Sequence, residues 1–222
     1  MRRLLFLLVL LYSNILFNQT ISGNNKNLVI KHKDITLYLD TDTSSMLSKL
    51  DFKYSNFSKL KSNARCNCWY VDTFSRLREV DYNSFYSKSG FDRGHLTPSH
   101  ITTYDSLVNM NSFSLFNQSP QYSDFNRYTW EKLEERTEKI IDSLKQDATI
   151  ITGVIYNEKS KTYLGKIKIP THYYKILTIG KKQWVWIAQN SKKKEECVVK
   201  QTTLKDLNAV FVKNKMKLKI KS

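Results

Sequence analysis

Phe91-Asp92-Arg93-Gly94-His95-Leu96-Thr97-Pro98-Ser99-His100 is the densest run of chemistry in this 222-residue chain. Gly94 permits a backbone turn that a side chain would resist. Pro98 discourages a helix immediately before it. The stretch therefore reads as a turn that presents His95 beside a glycine, flanked by Asp92 and Arg93. Histidine is the side chain whose ordinary basicity lies near neutral pH, so it is the natural proton acceptor.

Working outward, Ser106–Gln121 carries a short apolar run, Phe113–Phe116, ending at Asn117. Residues 125–145 follow helical spacing through Trp130, Leu133, Thr137, Ile140, Ile141 and Leu144. Ser123 or Asp124 suits the N-cap. Asn126, Trp130 and Glu134 lie four apart and so share one face. Residues 28–39, 69–74, 149–156, 173–179 and 184–188 read as strands, the later ones rich in β-branched side chains. Residues 75–91 read as a loop or hairpin, 203–211 as a short helix, and the C-terminus as a basic tail. Strands, a central helix, then more strands predict an α+β fold with an antiparallel or mixed sheet.

Phosphodiester hydrolysis needs a base for water, positive charge for the phosphate, and help for the leaving oxygen. His95 supplies the first. An Arg serves the second, and a divalent cation the second and third. Magnesium keeps several waters and needs few protein oxygens. Asn126 with Glu134 two turns on offers such a pair, and Asn117 precedes that helix.

Asp92-Arg93-Gly94-His95 resembles the DRGH signature of the DNA/RNA non-specific ββα-metal endonucleases of the endonuclease G type. Phe91, Leu96 and Pro98 suit the pattern. So do Leu115-x-Asn117-x-x-Pro120-Gln121, then Asn126, Trp130, Leu133 and Glu134, in order and spacing. Ile151-Thr152-Gly153 and Pro170-Thr171-His172-Tyr173-Tyr174-Lys175 resemble later family segments, so the similarity covers about residues 30–210. The resemblance implies a ββα-metal (His-Me finger) fold, with the metal-site helix packed near the DRGH hairpin. It implies a hydrolase that cuts DNA and RNA to 5′-phosphate products. His95 would be the general base, and Asn126 the direct ligand of Mg2+, with Mn2+ able to substitute. Glu134 would hold the metal's waters, and Asn117 would position the phosphate or His95. Arg93 and Asp92 would support the site, with Arg93 also contacting substrate. The family carries an upstream Arg on the phosphate. Arg76 is assigned that role because Asp81 follows it at a family-like distance, with Arg78 and Arg65 left open. Where the family often has an Arg four residues after the helix Glu, this chain has Glu138.

Composition agrees with a nucleic-acid partner. Thirty-six Lys and Arg against 20 Asp and Glu give a net charge of +16, which favours polyanions. Met1-Arg2-Arg3, the apolar Leu4–Tyr12 and small residues at Ser22 and Gly23 read as a signal peptide spanning 1–23. Residues 24–222 then form one endonuclease domain, secreted or delivered to the periplasm or a lumen, with no membrane attachment. Losing Arg2 and Arg3 and no acid leaves that domain at +14.

Three cysteines suggest one disulfide and one free thiol. One residue between Cys66 and Cys68 makes an internal bridge tight, so Cys197 bonded to either is the expectation. That spacing also falls short of the ~2–4 residues of zinc sites. His100 lacks supporting residues, His172 packs in a strand, and Trp130 belongs to the core. Asn56 and Asn117 sit in glycosylation patterns, but Pro120 and the proposed site argue that Asn117 is unmodified. The alternative function is a basic nucleic-acid-binding module of the same fold that does not cut. Family members include dimers, and a homodimer is left open.

Overall fold

The computed structural model describes residues 20–23, 27–40, 45–70, 85–163, 167–214 and 216. Strands β1 (Thr20–Gly23), β2 (Asn27–Lys31), β3 (Ile35–Asp40) and β4 (Ser45–Phe52) form a meander. Strand β5 (Phe91–His95) and β6 (Gln118–Tyr122) pair as a separate hairpin, with helix α1 (Ser106–Ser112) in the excursion between them. A π-helical turn (Phe125–Trp130) runs into helix α2 (Glu131–Leu144). Strand β7 (Ala148–Ile155) follows, then the small pair β8 (Thr162–Tyr163) and β9 (Ile167–Lys168). Strands β10 (His172–Ile179), β11 (Lys182–Gln189) and β12 (Val199–Thr202) precede helix α3 (Leu204–Lys213). The main sheet has eight strands in the order β1-β2-β3-β4-β7-β10-β11-β12, antiparallel throughout.

The period-2 alternation of β7, β10 and β11 sends side chains to two cores. One face carries Ile150, Val154, Tyr173, Leu177 and Trp186, which pack with Phe125, Trp130, Leu133 and Ile141 of the central helix. The other carries Ile155, Tyr174, Ile176 and Val185 beneath Leu207 and Phe211 of α3. Gly153 lacks a side chain where the Tyr174 phenol occupies the space. Thr203 caps α3 by accepting from the Asp206 amide at 3.1 Å. The site lies on the α2 face, so the whole sheet acts as its backing.

Several expectations are corrected. Over 69–74, Trp69 is irregular and Tyr70 forms an isolated bridge with Ser114, while 71–84 lie outside the described residues. The helix begins in a π turn, and neither proposed cap serves it. Asp124 makes no cap hydrogen bond, and the Ser123 hydroxyl is spent on Asp92 at 3.2 Å. Gly94 is no turn. It lies within β5 opposite Ser119, and a Cβ there would run into the Gln121 side chain. The glycine is needed for close approach rather than for unusual dihedrals.

Candidate active site

The hairpin is fixed to the sheet through one backbone carbonyl. Pro120 O accepts from the Tyr173 hydroxyl at 2.9 Å and from Asn190 Nδ2 at 3.1 Å. Asn190 Oδ1 accepts the Tyr122 amide at 3.0 Å. At the far end of the hairpin, Asn117 ties β5 to β6. Its Nδ2 donates to Thr97 O at 2.9 Å and Ser112 O at 2.7 Å, and its Oδ1 accepts the Thr97 amide at 2.9 Å. Its own carbonyl accepts the Leu96 amide at 2.8 Å. Asn117 is fully buried, so the reading of it as a phosphate contact gives way to one in which it shapes the backbone that carries His95. A glycan has no room there.

His95 projects from the end of β5 between two rings. Trp69 lies 4.6 Å from it, tilted by 34°, and Phe113 meets it edge-on at 4.9 Å. Its Nε2 is buried and has no hydrogen-bond partner among the described residues. Burial, and then the Arg65 guanidinium, push its pKa down to about 3. The ring is therefore neutral in the free protein at physiological pH.

Asp92 organises the next layer. It accepts Arg127 Nε and Nη2, both at 2.8 Å, Asn126 Nδ2 at 3.0 Å and the Ser123 hydroxyl. Burial alone would raise its carboxyl, but these donors win and hold it below the ordinary carboxylate value. Because the Asn126 amide nitrogen is committed to Asp92, its carbonyl oxygen is the group available to a ligand.

Glu134 stands two turns along the same helix. Its Oε1 lies 3.7 Å from Lys175 Nζ, and Lys175 is 1% exposed, 5.0 Å over the Trp130 ring, and donates to Thr152 Oγ1 at 3.1 Å. Burial raises the Glu134 carboxyl above its ordinary range, against the pull of Lys175. At the rim, His100 Nδ1 pairs with Glu138 at 2.8 Å.

A cleft of about 770 Å3 gathers His95, Arg93, Asn126 and Glu134 with Arg65 and Arg127. Arg93 stacks over Trp69 and Tyr86 at 5.6 and 5.5 Å. Arg76 and Arg78 lie outside the described residues. Arg65 is in the cleft, over Phe113 at 5.4 Å. Sequence reasoning missed Arg127 and Lys175. Lys175 did leave a signal, since it shares strand parity with Tyr173 and Leu177 and so falls on a face that should be apolar.

The disulfide expectation is also corrected. Cys66 bonds Cys68, with Cα atoms 5.1 Å apart, and Cys197 is free and buried. Asn67 between them takes φ 49°, a left-handed conformation that Asn tolerates, and this folds the pair back on itself. The bond removes both thiolates from any zinc site. Among the described residues no three of His, Cys, Asp and Glu gather as a metal cage.

The family model for DNA/RNA non-specific endonucleases matches residues 13–216. A nuclease from a Nostoc species is 34% identical over 96 residues, covering 43% of this chain and 34% of that protein. The mitochondrial endonuclease G of Homo sapiens is 30% identical over 120 residues, covering 49% of this chain and 39% of its own length. The matches thus span less than half of these relatives. A chain from the crystal structure of the EndoG/EndoGI complex superposes with a TM-score of 0.68 at 19% identity, covering 82% of each. That likeness supports the ββα-metal fold, here built from β5, β6 and the helix at 125–144. The expectation of secretion is overturned by the relatives. Those from human, Caenorhabditis elegans, fission yeast and budding yeast are mitochondrial nucleases, and residues 1–19 lie outside the described residues. With a match over nearly its full length, the chain belongs to the DNA/RNA non-specific endonuclease family.

Proposed function

We propose that this protein is a metal-dependent endonuclease that hydrolyses phosphodiester bonds of DNA and RNA with little regard to sequence, with His95 as general base. The observation that carries this reading is the buried His95 Nε2, without a partner among the described residues, in a cleft with Arg65, Arg93, Arg127, Asn126 and Glu134. A buried polar nitrogen left unpaired costs stability. A fold that keeps one beside a substrate-sized cleft has a use for it.

The neutral imidazole accepts a proton from water, and Trp69 and Phe113 hold its ring against rotation. Arg65 and Arg93 meet the negative charge that grows on phosphate oxygens. Asn117 keeps the backbone under His95 in place through its hydrogen bonds to Leu96, Thr97 and Ser112.

The residues fit a hard divalent cation by donor chemistry. Asn126 offers a neutral oxygen because Asp92 takes its nitrogen, and Glu134 adds a carboxylate in the same cleft. Oxygen donors of this kind suit magnesium, with manganese as a substitute, since such ions retain most of their water. Asn126 would hold the ion and Glu134 its hydration. When bound, the ion neutralises phosphate charge and assists the leaving oxygen. The products would carry a 5′-phosphate.

Incubating plasmid DNA and bulk RNA with the purified protein, with Mg2+ or EDTA, tests this. Degradation of both without a fixed cut pattern, stopped by EDTA, is expected. A discrete cut site, or cutting that survives EDTA, overturns it.

A further inference from the structure

The stretch 64–70 has no regular structure, yet it packs Trp69 against the His95 ring and places Arg65 in the same cleft. Its two contact residues flank the disulfide. Arg65, before Cys66, lies over Phe113 at 5.4 Å. Trp69, after Cys68, lies 4.6 Å from His95 and 4.7 Å from Phe113. Arg93 in turn rests on the Trp69 ring.

Hydrogen bonds anchor the segment at both ends. Cys66 N donates to Asn109 Oδ1 at 2.9 Å, and Asn109 Nδ2 donates to Ser99 O, Ser99 Oγ and Thr102 Oγ1. That network ties the cysteine pair to the segment just past the DRGH strand. At the other end, Tyr70 and Phe113 to Leu115 exchange two backbone bonds at 3.4 and 3.0 Å. Between these anchors the chain reverses through Asn67 in the left-handed region, which Asn tolerates better than most residues with a Cβ. A covalent bond across Asn67 holds that reversal. The loop it closes is very short, so its entropic contribution to global stability is near the low end for disulfides. Its effect is local.

We propose that the Cys66–Cys68 disulfide is a positioning clamp that holds Trp69 and Arg65 against the His95 pocket, so that a dithiol reductant opens the wall behind the base. In that step the S–S bond breaks, each cysteine sulfur gains a proton and becomes a thiol, and the dithiol closes to its own disulfide, supplying both electrons. The role assigned to the clamp rests on His95 being the base. The contacts themselves do not.

The test labels histidines with diethylpyrocarbonate in the full-length protein without metal, and reads each site by mass spectrometry. Oxidised protein, dithiothreitol-treated protein and Cys66→Ser/Cys68→Ser are compared, with circular dichroism to confirm the fold. His95 should react severalfold faster in the last two, while the exposed His100 reacts alike in all three. Trp69→Ala should show fast labelling even when oxidised, and Trp69→Phe should restore slow labelling. In cleavage assays, reduction should lower kcat with KM nearly unchanged. Equal His95 labelling in oxidised and reduced protein overturns the clamp. So does peptide mapping that finds free thiols at both positions in protein purified without reductant. A labelling response in a protein that cuts nothing supports the clamp and sinks the nuclease reading instead.

Discussion

His95 illustrates how a residue can cost stability and be kept. Its ordinary pKa of 6.5 falls to about 3 in the fold, through burial first and Arg65 second. His32, also buried, falls to about 4. In both cases the unfolded chain takes up a proton that the folded chain refuses. Stability is therefore full above pH 6.5 and declines as pH falls toward these depressed values. His95→Asn should flatten that decline between pH 6.5 and 4 in thermal melts. An unchanged slope would mean that His95 is already wet and protonated in the fold. At this scale the motif pointed to His95, Asn126 and Glu134, because a short string of unusual residues carries its own chemistry, and the fold brings the three into one cleft. Arg127, Trp69 and Phe113 were not legible, since their roles arise from contacts across the chain. The cysteine pairing was misread because one left-handed residue, Asn67, decides it.

Among the elements, the β-branched runs and the amphipathic helix were readable, and β7, β10, β11 and α3 lie within a few residues of their expected bounds. The π turn at Phe125–Trp130 was not, because a 3.6-residue period carries no mark of one widened turn. Within that turn Asn126 and Arg127 reach Asp92 while Trp130 stays in the core. The helix and β10 then meet at the Lys175–Glu134 pair. Removing one member of a buried pair costs about 3–5 kcal/mol, because the other charge is stranded. Lys175→Met should therefore destabilise strongly, and Lys175→Met/Glu134→Gln should recover part of that loss. Denaturant melts of the wild type, Lys175→Met, Glu134→Gln and the double variant check this. A double variant as unstable as the sum of its singles would show that the two groups do not interact.

Across the whole molecule, the chain carries 16 surplus positive charges, and the cleft rests on a hairpin and a helix braced by the main antiparallel sheet. Among the described residues, no element presents an array of side chains suited to reading base edges. Recognition through phosphates makes affinity fall steeply with salt, by a slope of about 0.9 per phosphate contact on duplex DNA. Binding measured in EDTA at several salt concentrations should give a steep slope that is the same for unrelated sequences. Salt-insensitive or sequence-selective binding would contradict phosphate-directed recognition. The broad fold followed from the order of its elements, whereas the two-sided core and the pocket wall depend on the three-dimensional arrangement.

The most direct test of the central claim is single-turnover nicking of supercoiled plasmid by the wild type and His95→Ala in Mg2+, with DNA affinity measured alongside. Loss of a general base predicts cleavage slower by about 10²–10⁴-fold with affinity unchanged. A His95→Ala protein that nicks at the wild-type rate would contradict the account.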